Sequence, residues 1–233
     1  MINTTLVRVL TRAQATRGRL AFAGLACGLL LLTALLTNLG SPSPRVVADI
    51  IGETAFSFVV PVVTLLFAVA CLGDLVEDHT LVYVWLRPIR RLSLATSAVC
   101  STLLAAGAPV VGGLLLAAVL GGRPVLLLPG LVAGTLAVAA YGSLFVALGL
   151  RTTRSLLWGL AYLLLWEGLA SSITLAFARL SLRRYAASVY ADLAGTGNLA
   201  FPTSAAHGIG VLVAVAAAGT ALTAWFLRRA DVA

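Results

Sequence analysis

Long apolar runs constrain this chain more than any other feature. Six stretches, roughly residues 20–39, 52–72, 94–120, 125–150, 155–178 and 204–227, are dominated by Leu, Ala, Val and Gly and carry almost no charge. A helix rises ~1.5 Å per residue and a bilayer's hydrocarbon core is ~30 Å thick, so about twenty apolar residues cross it. A soluble core has no use for six such runs, because a soluble helix needs only one apolar face. The composition agrees, with 61% of residues hydrophobic and 10% charged, against about a quarter charged in ordinary globular domains. The expected fold is an all-α integral membrane protein of six transmembrane helices, forming one domain over residues 1–233. Gly121-Gly122-Arg123-Pro124 separates the third and fourth runs and predicts a tight helical hairpin.

The net charge of +8 comes from sixteen arginines, with no lysine, against eight acids. The arginines mark the ends of apolar runs and do not share one polar face, which argues against a nucleic-acid partner. With six spans, Arg8, Arg12, Arg17, Arg19, Arg87, Arg90, Arg91, Arg151, Arg154, Arg228 and Arg229 fall on one side, and Arg45, Arg123, Arg179, Arg183 and Arg184 on the other. The bias places both termini in the cytoplasm. The first run is long and lacks a clear A-x-A site, so it reads as a retained span and not as a cleaved leader.

Two segments outside the spans have helical periodicity. In residues 1–19, Ile2, Leu6, Val9, Leu10 and Ala13 fall near one face, with Arg8 and Arg12 elsewhere. This pattern predicts an interfacial amphipathic helix, with a solvated basic tail as the alternative. The outer loop, residues 179–203, contains RLSLRRYAASVYADLA and then GTGN, which predicts a short amphipathic helix followed by a turn.

The chain offers little catalytic chemistry. Intramembrane serine proteolysis needs a serine in a GxSG setting and a histidine on a later helix; Ser143 lies in YGSLF, and His207 opens the sixth span. His79 and His207 are the only histidines, and no metal site is expected. Cys27, Cys71 and Cys100 are isolated, so they read as small buried hydrophobes. No P-loop is possible without lysine. No catalytic residue is assigned.

Two acids lie in or near spans. Glu53 sits at the outer end of the second. Glu167, in LLLWEGLASS, lies about 18 Å along the fifth span from Ser155, past the midplane. An intramembrane carboxylate is costly unless paired, protonated or wet. Ser171, one turn on, is a candidate hydrogen-bond partner, with Arg179 or Arg183 approaching from the loop. Glu53, Glu167 and Ser171 are therefore candidates for an outer gate or translocation path. A buried glutamate that merely ties helix ends together is the alternative.

The densest charge lies in GDLVEDHTLVYVWLRPIRR, residues 73–91, between the second and third spans. Leu75, Val82, Trp85, Leu86 and Ile89 can share one helix side, while Asp74, Glu77 and Asp78 fall largely on the other, at the N-terminal end that a helix dipole favours. Pro88 limits the helix, and Arg87, Arg90 and Arg91 mark the return to the membrane. Periodicity leaves open a partner-docking helix or a solvated loop anchored by Trp85.

This loop resembles the first cytoplasmic loop of the export-class (type 2) permeases of ATP-binding-cassette (ABC) transporters: glycine and acids, a Thr-Leu step, apolar residues and an Arg-Pro-Ile-Arg-Arg close. LAYLLLWEGLASS and LSLRRYAASV resemble the fifth span and outer loop of actinobacterial members. The likeness covers the whole chain, although His79 stands where the family usually has glycine. The resemblance implies a bacterial plasma-membrane exporter subunit that pairs with a second copy or homologue and docks two separate ATPase subunits, which carry ATP and Mg. It implies that 73–91 is the coupling loop, with Glu77 and Asp78 facing the ATPase and Arg87, Pro88 and Arg90 closing the helix; Asp74 and Trp85 are assigned to the same coupling segment. Substrate would pass between the two copies along the second and fifth spans. From the residues alone, a proton-coupled carrier using Glu167 and an intramembrane enzyme are the competing readings.

Overall fold

The computed structural model describes residues 4–40, 43–77, 90–152, 154–170, 180–196 and 204–229. Among them every regular element is helical, in an all-α arrangement. Helix α1 spans Thr4–Gln14 and α2 spans Arg17–Leu39. The next span is built from α3 (Pro44–Thr54), a π-helical segment π1 (Ala55–Val59) and α4 (Val60–Glu77) in continuous succession. Then come α5 (Arg91–Leu120), a 3-10 turn (Pro124–Leu126) and α6 (Leu127–Arg151). The chain continues with α7 (Ser155–Ala161), a second π segment π2 (Tyr162–Ala170), α8 (Leu182–Leu193) and α9 (Ala205–Arg229).

Five stretches are long and apolar enough to cross a membrane: Arg17–Leu39, Arg45–Val76, Arg91–Leu120, Pro124–Arg151 and Ala205–Arg229. They correspond to spans one to four and six. The fifth expected span is represented by α7 and π2, and its remainder, 171–178, lies outside the described residues. The second span begins earlier than the apolar run implies. Arg45 and Asp49 interrupt the apolar pattern but are exposed, while Val47, Ala48 and Ile51 are buried beside them. Pro44 opens α3 in the first helical turn, where its missing N–H costs nothing.

Helix α6 sits at the centre and packs against α4, α5, α8 and α9. Its small residues make that possible. A Cβ on Gly149 would stand 2.7 Å from the carbonyl oxygen of Val69, so α4 and α6 cross backbone to backbone. Gly219 of α9 lies against the Ser143 side chain, and Gly159 of α7 against Leu65. Between membrane helices, where lipid is as apolar as leucine, such close approach is a main source of attraction. Helix α2 shows the complementary division: Ala23, Ala26, Leu30 and Ala34 are buried, whereas Leu25, Leu29, Leu32 and Leu36 are exposed.

The hairpin between α5 and α6 forms as expected. Gly122 has φ +66°, and the Arg123 N–H reaches Ala118 O at 2.9 Å around it, the closure of a Schellman turn. Asn38, at the end of α2, donates to Leu120 O at 3.1 Å and ties the first span to this turn.

Helix α1 forms and lies on α5 and α4, with a face that keeps Leu6 and Leu10 of the expected apolar stripe and is turned away from Val9 and Ala13. Val7, Leu10 and Gln14 are buried, Val9 is 60% exposed and Ala13 is exposed. The apolar arc of this helix is wider than its contact with the bundle, so part of it faces away from protein. Gln14 takes a place in the contact that no hydrophobicity argument would give it: its Nε2 donates to Ser101 Oγ on α5 at 2.9 Å.

Candidate functional site

Two side-chain ion pairs among the described residues lie at opposite ends of the bundle. At one end the organising element is α8. Ser181 precedes it in extended conformation as N-cap, and its Oγ accepts from the Arg184 N–H. Gly195, at φ +69°, ends it in a second Schellman turn, with Thr196 N–H to Ala191 O at 3.1 Å. The helix is more enclosed than an amphipathic surface helix: Leu182, Tyr185, Ala186, Ser188, Val189, Tyr190 and Ala191 are all buried, and α8 packs against α6, α9, α3 and π1.

Glu167 closes onto the N-terminus of α8. Its side chain is on the fifth span and only 4% exposed. Oε1 accepts from the Leu182 backbone N–H at 2.9 Å and from the Tyr162 hydroxyl at 3.1 Å, and the Ser181 hydroxyl donates to Oε2. A helix N-terminus presents unsatisfied N–H groups and a partial positive charge, so a carboxylate there meets both demands. Tyr162 and Glu167 are five residues apart, which on an α-helix would set them about 140° apart. They meet because π2 closes i→i+5 hydrogen bonds and brings that spacing onto one face.

Glu53 belongs to the same assembly. Arg183 Nη1 lies 3.3 Å from Glu53 Oε1 and 2.9 Å from Ser57 Oγ, and Ser57 itself donates to Glu53 at 2.7 Å. Ser57 lies within π1. Consecutive residues of the α8 entry therefore grip two spans: Ser181 and Leu182 hold the fifth, and Arg183 holds the second, each at a π segment. The far end of α8 also touches the second span, where Tyr190 packs on Phe56 with ring centroids 5.6 Å apart and stands over Gly52. Burial pushes the Tyr190 hydroxyl pKa up, and Asp49 adds to the shift. Asp192 then caps the last span, accepting from the Ala205 N–H at 2.6 Å.

Of the expected outer residues, Glu53 and Glu167 thus converge on α8, while Ser171 and Arg179 lie outside the described residues. Arg183 approaches Glu53 and Ser57. Sequence reasoning missed Tyr162, Ser181 and the Leu182 amide as partners of Glu167; only Ser181, a serine directly before an amphipathic run, carries a readable N-cap signal.

At the opposite end, Asp74 is held by Arg19, whose Nη2 lies 3.0 Å from Oδ1 and 2.8 Å from Oδ2. The carboxylate remains 43% exposed. Residues Gly73–Glu77 continue α4 as its last turn, so Asp74 and Glu77 sit at a helix C-terminus and not at the N-terminal end expected from the charge pattern. Asp78, Trp85, Arg87 and Pro88 lie outside the described residues, as does the remainder of the expected coupling helix. Arg90 is exposed and is the N-cap of α5, its carbonyl accepting from the Leu94 N–H at 3.1 Å. A third polar contact lies nearby: Ser101, already bonded to Gln14, sits 3.3 Å from Cys71 Sγ.

The catalytic alternatives gain no geometry. Ser143 Oγ donates to Ala140 O at 2.9 Å and is packed against Gly219. Gly219 lies twelve residues beyond His207 on α9, or about 18 Å along the helix. His207 is instead exposed beside Tyr185, with ring centroids 6.0 Å apart. Among the described residues no cluster of His, Cys, Asp or Glu can hold a metal ion. In comparisons with known proteins, no family model matches the chain, and no curated protein matches it.

Proposed function

We propose that this chain is the membrane-spanning permease subunit of an ATP-driven ABC exporter. It works as a pair of copies or homologues, each docked to one of two separate ATPase subunits that bind ATP and Mg. It resides in a bacterial plasma membrane with both termini in the cytoplasm.

The observation that carries this reading is the loop GDLVEDHTLVYVWLRPIRR, placed after the second span and closed by Arg-Pro-Ile-Arg-Arg. The order of elements supports it: an amphipathic helix packed on the bundle, successive spans, and a short helix before the last one. In this reading, ATP-driven motion enters through Glu77, Asp78 and the rest of the loop, and leaves through the second and fifth spans. Glu53 and Glu167 then act at the outer gate by fastening α8 across those spans. The protonation chemistry of a carrier is a poorer fit, because the carboxylate of Glu167 is already engaged by Tyr162, Ser181 and the Leu182 amide.

Co-expression with an ATPase encoded beside it tests the proposal. The complex is expected to co-purify and to hydrolyse ATP, while the chain alone shows no turnover. Reversing Glu77 and Asp78 to Arg is expected to abolish co-purification or uncouple hydrolysis from transport. Normal docking and transport in that double variant would overturn the reading of the loop.

A further inference from the structure

A groove of about 460 Å³ opens at the arginine-rich end, between the start of α2, the end of α4 and the start of α7. Its walls combine two chemistries. Arg19, Asp74 and Arg154 line it together with Val69, Leu157 and Leu160. The size lies within the range of small-ligand pockets, about 300–1,000 Å³.

We propose that this groove binds an anionic phospholipid, with its phosphate between Arg19 and Arg154 and one acyl chain along Leu157 and Leu160. Three observations carry it. Two arginines and one carboxylate line the groove, so its charged lining sums to +1. Arg19 spends Nη2 on Asp74 and its side chain is still 20% exposed, while Arg154 is exposed and its guanidinium has no partner among the described residues. A phosphate oxygen is the acceptor best matched to guanidinium donors left unspent beside an apolar wall. Finally, Leu157 is 63% exposed and Leu160 38% exposed beside the charges, so the apolar wall continues outward along a span's flank, where an acyl chain lies and a small soluble anion gains nothing. Arginines at the end of a membrane helix match the depth of a phosphate headgroup. The site depends on the chain's lying in a membrane and not on its pairing with an ATPase, so loss of the transport reading would leave it standing.

The test uses the full chain, delipidated in a neutral detergent and titrated with phosphatidylglycerol, with bound lipid counted by native mass spectrometry. Tight binding of one lipid per chain is expected, with phosphatidylcholine binding at least about tenfold more weakly. Arg154→Gln, on an exposed side chain, is expected to weaken phosphatidylglycerol about tenfold, the loss of one charge-assisted contact. Leu160→Trp, which fills the groove, is expected to do the same without altering the arginines. Arg17→Gln, an exposed arginine at the same end that does not line the groove, is expected to change affinity less than twofold. An equal loss in Arg17→Gln would show surface electrostatics only and overturn the proposal. So would unchanged binding in both groove variants. Glycerol phosphate binding as tightly as the lipid would assign the site to a free anion. Lipid retained by monomers but absent from dimers would assign the groove to a second copy.

Discussion

Replacing Glu167 by Gln removes one charge and leaves the size of the side chain unchanged, which isolates what the carboxylate does for α8. Two of its bonds come from the entry to α8, the Leu182 N–H and the Ser181 hydroxyl. Hydrogen bonds to an ionised group contribute about 1.5–3 kcal/mol, against about 0.5–1.5 for neutral ones, so neutralisation costs roughly 1 kcal/mol for each. The interaction with the helix N-terminus adds about 0.3–1 kcal/mol. The amide also presents an N–H₂ to Ser181, whose oxygen already accepts from Arg184. Together these loosen the start of α8 by about 2–3 kcal/mol, or roughly 30–150-fold in its local opening equilibrium. Amide hydrogen exchange on the protein in lipid nanodiscs reads this directly. Amides of α8 are expected to exchange roughly 30–150-fold faster in Glu167→Gln, with those in the middle of α5 unchanged. Equal acceleration in α5 would mean that Glu167 supports global stability. Unchanged exchange in α8 would refute the clamp altogether.

Glycine contacts separate two kinds of crowding. Gly159→Ala meets the end of the Leu65 side chain, and its thermal destabilisation, about 1–3 kcal/mol, is expected to be recovered by adding Leu65→Ala. Gly149→Ala meets the Val69 carbonyl at 2.7 Å; no side-chain truncation can relieve it, so Val69→Ala is expected to give no rescue in the same melting assay. Glu53 is 73% exposed in its pair with Arg183, and Glu53→Gln is expected to change stability by less than about 1 kcal/mol; a larger loss would mean the pair is desolvated. Gln14→Leu is expected to leave Ser101 with its helical carbonyl bond and to cost less than about 1.5 kcal/mol, read as a small shift in denaturant midpoint.

Much of the architecture was legible because it is set by local pattern. Apolar length alone marks the spans, and the Gly122 turn and the Ser181-to-Gly195 extent of α8 follow from punctuation that any helix needs. What stayed hidden depends on neighbours distant in sequence or on helical winding. Arg19 and Asp74 are separated by 55 residues, and nothing in either local stretch names the other. Glu167 looked one turn forward to Ser171 because α-helical spacing was assumed. The π winding brings Tyr162 to it from behind, and one of its partners is the Leu182 backbone amide, which no sequence distinguishes. The amphipathic face of α1 was partly misread for a related reason: a helix that touches protein on one side and apolar surroundings on another has more apolar residues than one contact requires.

The π segment at Tyr162–Ala170 makes the hold on α8 conditional on how the fifth span is wound. One π turn rewound as α geometry shifts the register beyond it by a single residue, which is about 100° of rotation and 1.5 Å of rise. That is enough to swing the carboxylate of Glu167 off the N-terminus of α8 while every backbone hydrogen bond of the span is re-formed. Such a change of pitch would release the latch by turning the carboxylate away, with no proton transferred and no part of the helix unfolded.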